Sequence, residues 1–311
     1  MRSCLARRAL FTLSLGAALL VSMSVSGPAD AGASGIVFGA SVAAKPGGTF
    51  TQAVADQDAA YGTPAPMPIS RVFLNVAASW VTGDQAVSKR PVVVSFKYSP
   101  TSVLAHKNDR ALKNFFSTAP TTYETYWSYI HEPEDNIERG EFTSADYRAA
   151  WTHIADLATA ANNPHMHSTL ILMCFTLNPA SARDWHNYYA GSAAQSMIAF
   201  DCYNHAGKRN AYGLPSNIFK PITDWQQTPD AKDITWGISE VGSTLGKTDT
   251  GGALRAQWLR DVGAFLVNQH TVNPNHAIFA IYFDVVGPSG TDYRLTDANS
   301  QAAWREVVQT Y

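Results

Sequence analysis

Two short segments carry the acids best placed to do chemistry. YWSYIHEPED, residues 126–135, sets His131 and Glu132 directly after an apolar run, and WGISEVGS, residues 236–243, sets Glu240 straight after Ile238 and Ser239. A carboxylate at the end of a buried strand is costly to desolvate, and is tolerated where a cation pairs with it or a reaction needs it. The plainer readings are a structural ion pair for Glu240 and a solvated loop acid for Glu132. Two carboxylates facing each other across one cleft suit cleavage of a glycosidic bond. One protonates the leaving oxygen while the other attacks the anomeric carbon or activates water, at separations of about 5–5.5 Å for retention and about 6.5–9.5 Å for inversion. Glu134, Asp135 and Glu138 read as a solvated acidic run.

These acids need a scaffold that brings distant segments to one place. Eight apolar runs have strand length: Ile36–Ala40, Ile69–Leu74, Val92–Phe96, Tyr126–His131, Thr169–Phe175, Met197–Cys202, Ile234–Ser239 and Ala277–Phe283. They are continuous and rich in Val, Ile, Phe and Tyr, as parallel strands buried on both faces require. Helical patterns fall between them, clearest over Ser144–Ala161, where Thr143 or Ser144 can cap the start, over Ala253–Asn268, with Leu254, Trp258, Leu259, Val262 and Phe265 on one face, and over Ser300–Val308. Repeated strand–helix alternation predicts an α/β fold, a single (β/α)8 TIM barrel, whose active site gathers at the C-terminal ends of the strands. An open doubly wound sheet is the alternative, but no GxGxxG follows the first strand and no Walker loop is present.

The strand-end rule selects the remaining candidates. Lys97 ends the third strand and can bond a sugar hydroxyl or neutralise a carboxylate, or can be an ordinary rim lysine. Tyr203, Asn204 and His205 follow the sixth, and Asp284 follows the eighth, where it can bind substrate or hold a rim cation. Trp80, Trp185, Tyr188 and Tyr189 lie in loops after the second and fifth strands, where sugar-stacking platforms belong. Trp151, Trp258 and Trp304 sit on helix faces and read as core. His165 and His167 precede the fifth strand, at the wrong end of a barrel for chemistry, and are set aside as a metal site. No metal or organic cofactor is needed.

The chain has 311 residues, 11% of them aromatic, with eight Trp. Arg2, Arg7 and Arg8, the apolar run Ala9–Val25 and the small residues near Ala31 read as a secretory signal over residues 1–31, leaving a catalytic domain over 32–311 and an extracellular destination. Of 23 basic and 25 acidic residues, the signal takes three Arg and one Asp, so 20 face 24 in the mature chain. That balance argues against nucleic acid or an anionic membrane as partner, and a monomer is the default. Cys174 and Cys202 can be two buried thiols or one bridge, and no Cys/His cluster has zinc spacing.

Read together and in order, three segments resemble clan A glycoside hydrolases, and among them most of all family 26, the β-mannanases and related β-glucanases. YIHEPE resembles the family's His-Glu at the end of strand 4, IAFDCYN its strand-6 segment ending Asp-x-Tyr, and WGISEVGS its strand-7 end. The resemblance implies Glu132 as general acid/base with His131 beside it, Glu240 as nucleophile, and Tyr203 reaching that nucleophile. It implies retaining double displacement on a β-linked polysaccharide or oligosaccharide by endo action, with β-mannan the first expectation. The chain departs from the family at Pro133-Glu134 and at Tyr282-Phe283-Asp284, where many clan members have a Trp, which leaves the glycan open. A catalytically inactive carbohydrate-binding barrel is the alternative. An esterase or peptidase lacks its GxSxG or HExxH.

Overall fold

A computed structural model describes residues 35–311; the expected signal, residues 1–31, lies outside them. Eight strands close into a parallel barrel in chain order: β1 Val37–Ser41, β2 Ile69–Phe73, β3 Val92–Phe96, β4 Thr125–Tyr129, β5 Met166–Met173, β6 Met197–Asn204, β7 Thr235–Ser243 and β8 Phe279–Tyr282. Closure comes from β1 pairing with β8, Gly39 opposite Ile281, as well as with β2, Gly39 opposite Ile69. A Cβ on Gly39 would stand 2.0 Å from the Ile69 carbonyl oxygen, so only glycine admits β2 at this distance. The sequence reading of a single (β/α)8 barrel holds.

The two-residue period of each strand sorts its side chains into an outer set under the helices and an inner set. Ile69, Val93, Ile171, Met197, Ala199, Phe279 and Ile281 form their own apolar cluster, which plugs the lower barrel. One inward step further along the same strands the inner residues turn polar: Arg71 after Ile69, Ser95 after Val93, Asp201 after Ala199. The site is thus a polar layer resting on an apolar plug.

The helix Ser144–Ala160 starts where Thr143 Oγ1 accepts from the Asp146 amide, and buries Tyr147, Trp151 and Ile154. The helix at Ala253 runs to Val272, past the expected Asn268. Its first turn corrects the expected apolar face: Leu254 is 59% exposed, while Arg255 is buried. Arg255 earns burial through donors spent on Asp297, Ser300 and the Ser243 and Arg294 carbonyls. The last helix, Ala298–Thr310, is capped by Asp297, and its Trp304 donates to the Gly39 carbonyl. Two connections depart from strict alternation. The chain after β2 makes only a 3-10 turn at Asp84–Ala86, and the chain after β5 makes three, at Cys174–Leu177, Pro179–Ser181 and Trp185–Asn187. Asn178, Pro179 and Gly191 break any helical period in the second of these segments.

Cys174 and Cys202 form a disulfide that ties the end of β5 to β6 across 28 residues of chain. It closes a loop long enough that replacing both cysteines by alanine is expected to cost about 3.5 kcal/mol, read as a lowered denaturation midpoint together with a larger m-value, because the unlinked denatured chain exposes more surface. Among the described residues, no helix is long and apolar enough to cross a membrane.

Candidate active site

Glu240 sits on β7 beside an irregularity in the β6–β7 register, which shifts between Phe200 and Asp201. A local bulge of this kind re-aims side chains. Glu240 is buried and held from two sides. Tyr203 donates its hydroxyl to Oε2 in a short hydrogen bond, and the Arg71 guanidinium lies 3.5 Å from Oε1, with both side chains almost wholly removed from solvent. Arg71 rests over the Phe73 ring, 4.2 Å from its centroid, and donates to the Val72 carbonyl at 3.2 Å.

Glu132 reaches the same space from the turn after β4. Ile130 and Glu132 both have positive φ, 46° and 50°. Left-handed backbone at a β-branched residue costs of order 1–3 kcal/mol and persists only where the surroundings impose it. Tyr147 is one such restraint, donating to the Tyr129 and Ile130 carbonyls at 3.2 and 3.1 Å. The Glu132 amide donates to the Ile171 carbonyl at 3.0 Å, which docks the turn on β5.

Burial raises the Glu132 carboxyl to about 8, helped by the negative charges of Glu240, Glu134 and Asp135 and opposed by Arg71. Burial also pushes Glu240 upward, but there Arg71, Tyr203 and Lys97 all pull the other way. A third carboxyl, Asp201, lies opposite Glu240 in the β6–β7 ladder and is pushed well above the carboxylate range by burial and by the charges of Glu240 and Glu132. It accepts from Ser239 Oγ at 2.6 Å. Of three carboxyls crowded into one desolvated space, Glu240 is the one facing both a cation and a phenol donor. The negative charge is favoured there, and burial together with the neighbouring charges favours the protonated form of Glu132.

His131 packs its ring 5.6 Å from Phe73 and is held neutral, first by burial and then by the charges of Arg71 and Lys97. Lys97 is exposed at the rim, near enough for its charge to act on Glu240 and His131. Tyr203 belongs to an aromatic wall with Tyr293 at 4.7 Å and Phe283 at 5.7 Å, and Phe73 lies 6.0 Å from Phe283. The structure therefore gathers Glu132, Glu240, His131, Tyr203 and Lys97.

Other candidates fall elsewhere. Asp284 spends its carboxylate on Tyr61, Gln57 and the Leu295 amide. It pins the helix Phe50–Tyr61 to the loop after β8, which corrects the expectation of a substrate ligand or cation holder. Asn204 alternates away from Tyr203 and is buried, its Oδ1 accepting from the Gly213 amide at 3.4 Å, so it anchors a loop. Trp185 is 9% exposed and packs on His186, Tyr189 and Trp225. It lines a groove of about 700 Å³ whose walls include neither Glu132 nor Glu240. Trp80 and Tyr188 are core, Trp80 against Phe115. Glu134 corrects the reading of a solvated run: it is wholly buried and accepts from the Met173 amide and the Thr176 hydroxyl at 2.8 and 2.6 Å. Asp135 and Glu138 clasp Arg183. His165 and His167 share the carboxylate of Glu124 where β4 and β5 begin.

Arg71, Asp201 and Tyr293 were not singled out from the sequence. Arg71 and Asp201 carry the same signal that flags Glu240, an ionisable group inside a buried apolar run. Tyr293 sits in a loop without pattern. Replacing Arg71 with methionine leaves Glu240 facing a buried space with no cation. The acid limb of the activity profile is then expected to move to higher pH, and stability to fall by about 3–5 kcal/mol. An unmoved acid limb would show that Arg71 does not set the charge of Glu240.

Comparison with known proteins places the fold. No family model and no curated protein matches the sequence. Solved structures do match. A GH128 (subgroup I) endo-β-1,3-glucanase from Amycolatopsis mediterranei, in complex with laminaripentaose, superposes with a TM-score of 0.54 at 14% identity, over 87% of this chain and 99% of that one. The GH26 endo-β-1,4-mannanase catalytic domain of Bacillus sp. JAMB-750 gives 0.58 at 14% identity, over 88% and 85%. The GH26 domain of a Prevotella bryantii endo-β-mannanase/endo-β-glucanase gives 0.57 at 11% identity, over 89% and 90%. At these identities the likeness is one of fold, the (β/α)8 barrel.

Proposed function

We propose that this protein is a secreted retaining glycoside hydrolase that cleaves β-linked polysaccharide by endo action, with Glu132 as acid/base and Glu240 as nucleophile. The observation that carries the reading is the division of charge between the two carboxyls: Glu132 is lifted to about 8, while Glu240 is gripped by Arg71 and Tyr203. In the first step Glu132 gives its proton to the glycosidic oxygen as Glu240 attacks the anomeric carbon, so the C–O bond to the leaving sugar breaks and a glycosyl ester forms. In the second step Glu132, now ionised, takes a proton from water as the water oxygen attacks the same carbon and releases Glu240. Two inversions give net retention. Once Glu240 is esterified its charge no longer holds up the Glu132 pKa, so the acid of the first step becomes the base of the second. Tyr203 orients Glu240 through Oε2, His131, next to Glu132 in the chain, is neutral and does not compete for its proton, and Lys97 stands at the rim where a sugar hydroxyl can reach it.

The solved neighbours act on β-1,4-mannan and β-1,3-glucan by their names, which supports a β-linked hexose backbone, with mannan tested first. Residues 32–311, wild type, Glu132→Ala and Glu240→Ala, are to be assayed for reducing-sugar release on β-mannan, β-1,3-glucan, mixed-linkage glucan and xylan. Release by wild type alone supports the assignment. Binding to a glycan array by a folded wild type that releases nothing moves the reading to a carbohydrate-binding barrel.

A further inference from the structure

On the outer helical layer, apart from the groups around Glu132 and Glu240, two imidazoles converge on one carboxylate. His106 occupies the turn between the short helix Pro100–Leu104 and the helix Asp109–Ser117, and Asp109 opens that second helix. His153 arrives from the middle of the helix Ser144–Ala160. His106 Nδ1 lies 3.2 Å from Asp109 Oδ2, and His153 Nε2 lies 2.7 Å from Asp109 Oδ1. The imidazole rings stand edge to face with centroids 4.5 Å apart, at 88°. Among the described residues, this is the group of three such side chains whose ligating atoms all fall within 4.8 Å of one another.

We propose that His106, Asp109 and His153 bind a divalent transition-metal ion of the zinc class, which staples the helical layer after β3 to the helix after β4. Two imidazole nitrogens and one carboxylate oxygen suit zinc, with water completing a tetrahedron. Ligands about 2.1 Å from a tetrahedral zinc stand roughly 3.4 Å from one another. Each histidine already lies inside that edge from its own carboxylate oxygen, His153 from Oδ1 and His106 from Oδ2, and what remains is for one ring to move onto a shared oxygen and for the two ring nitrogens to draw together. His106 can make this adjustment, because its side chain is two-thirds exposed. Each neutral imidazole presents its lone pair to the ion, its proton moving to the other ring nitrogen. The spacing escapes a sequence search because one ligand sits 44 residues from the nearest other.

The test uses residues 32–311 without a histidine tag, stripped by chelator and titrated with zinc chloride by calorimetry, with thermal unfolding measured alongside. One zinc is expected per chain. Binding should weaken by more than about tenfold in each of His106→Ala, Asp109→Asn and His153→Ala, and stay unchanged in His165→Ala. Melting temperature should rise with zinc in the wild type and not in the variants. His106→Ala removes an exposed ring, and its melt in chelator reports whether the fold is intact. Absence of saturable zinc binding, or zinc binding that the three substitutions leave intact, overturns the proposal.

Discussion

Glu240→Ala is expected to lower kcat by about 10⁵–10⁶-fold, on the scale seen when a covalent nucleophile is removed. The lost carboxylate leaves a hole lined by Arg71 and Tyr203, both of which grip Glu240 in the folded protein. A small anion fits there. Azide added to Glu240→Ala, with an activated β-glycoside as substrate, should restore turnover and give a glycosyl azide inverted at the anomeric carbon. The same anion acting on Glu132→Ala should give the retained azide, because Glu240 still forms the ester and azide then replaces water in the second step. The two products assign the two carboxylates independently of rate. Retained azide from Glu240→Ala would exchange the roles, and undiminished activity in Glu240→Ala would remove it from the chemistry.

Glu132→Ala is expected to lower kcat/KM by about 10²–10⁴-fold on polysaccharide, and by much less on aryl glycosides whose leaving group needs no proton. The pH profile carries the sharper signature. In the wild type Glu132 must be protonated for the first step, and its carboxyl is raised to about 8. Activity should therefore hold through neutrality and fall as pH rises through about 8. It should fall at the acid end as Glu240 takes up a proton. In Glu132→Ala the alkaline limb disappears. The charge of Glu240 is the second cause of the Glu132 shift after burial, so in Glu240→Gln the Glu132 carboxyl should titrate below its wild-type value, measurable by carbon-13 NMR. A Glu132 that titrates identically in both proteins would mean that the carboxyls do not sense each other.

Glu134 shows how closely the site depends on its supports. Two residues past Glu132, it ties the turn after β4 to the start of the β5–β6 connection through Met173 and Thr176, and burial raises it to about 7. The disulfide from Cys174 to Cys202 fixes the same connection to β6, two residues before Asn204. The carboxylate pair is thus held by covalent and hydrogen-bonded links between neighbouring strand ends rather than by the strands alone.

Sequence alone determined the barrel. Buried parallel strands must be continuous apolar runs, and this pattern survives in one dimension: Val92–Phe96 matches β3, and six of the other runs reach within three residues of the observed strand at each end, Ile234–Ser239 only at its near end, since β7 runs on through Glu240 to Ser243. It also determined which apolar runs finish in Glu132, Tyr203 and Glu240, because a polar group closing an apolar run is visible without coordinates. Only the tertiary structure decided which acids share a space. Asp284 follows its apolar run as directly as Glu240 does, yet folding hands its oxygens to Tyr61, Gln57 and Leu295. Glu134 lies in a run that reads as solvated, yet a turn carries it inward. Arg71 and Asp201 became meaningful only when the closed sheet set β2 and β6 against Glu240, and His106, Asp109 and His153 only when two helices packed side by side. Local pattern encodes which face of an element is buried. Which partner a buried charge meets depends on contacts between segments far apart in the chain, and only packing specifies those.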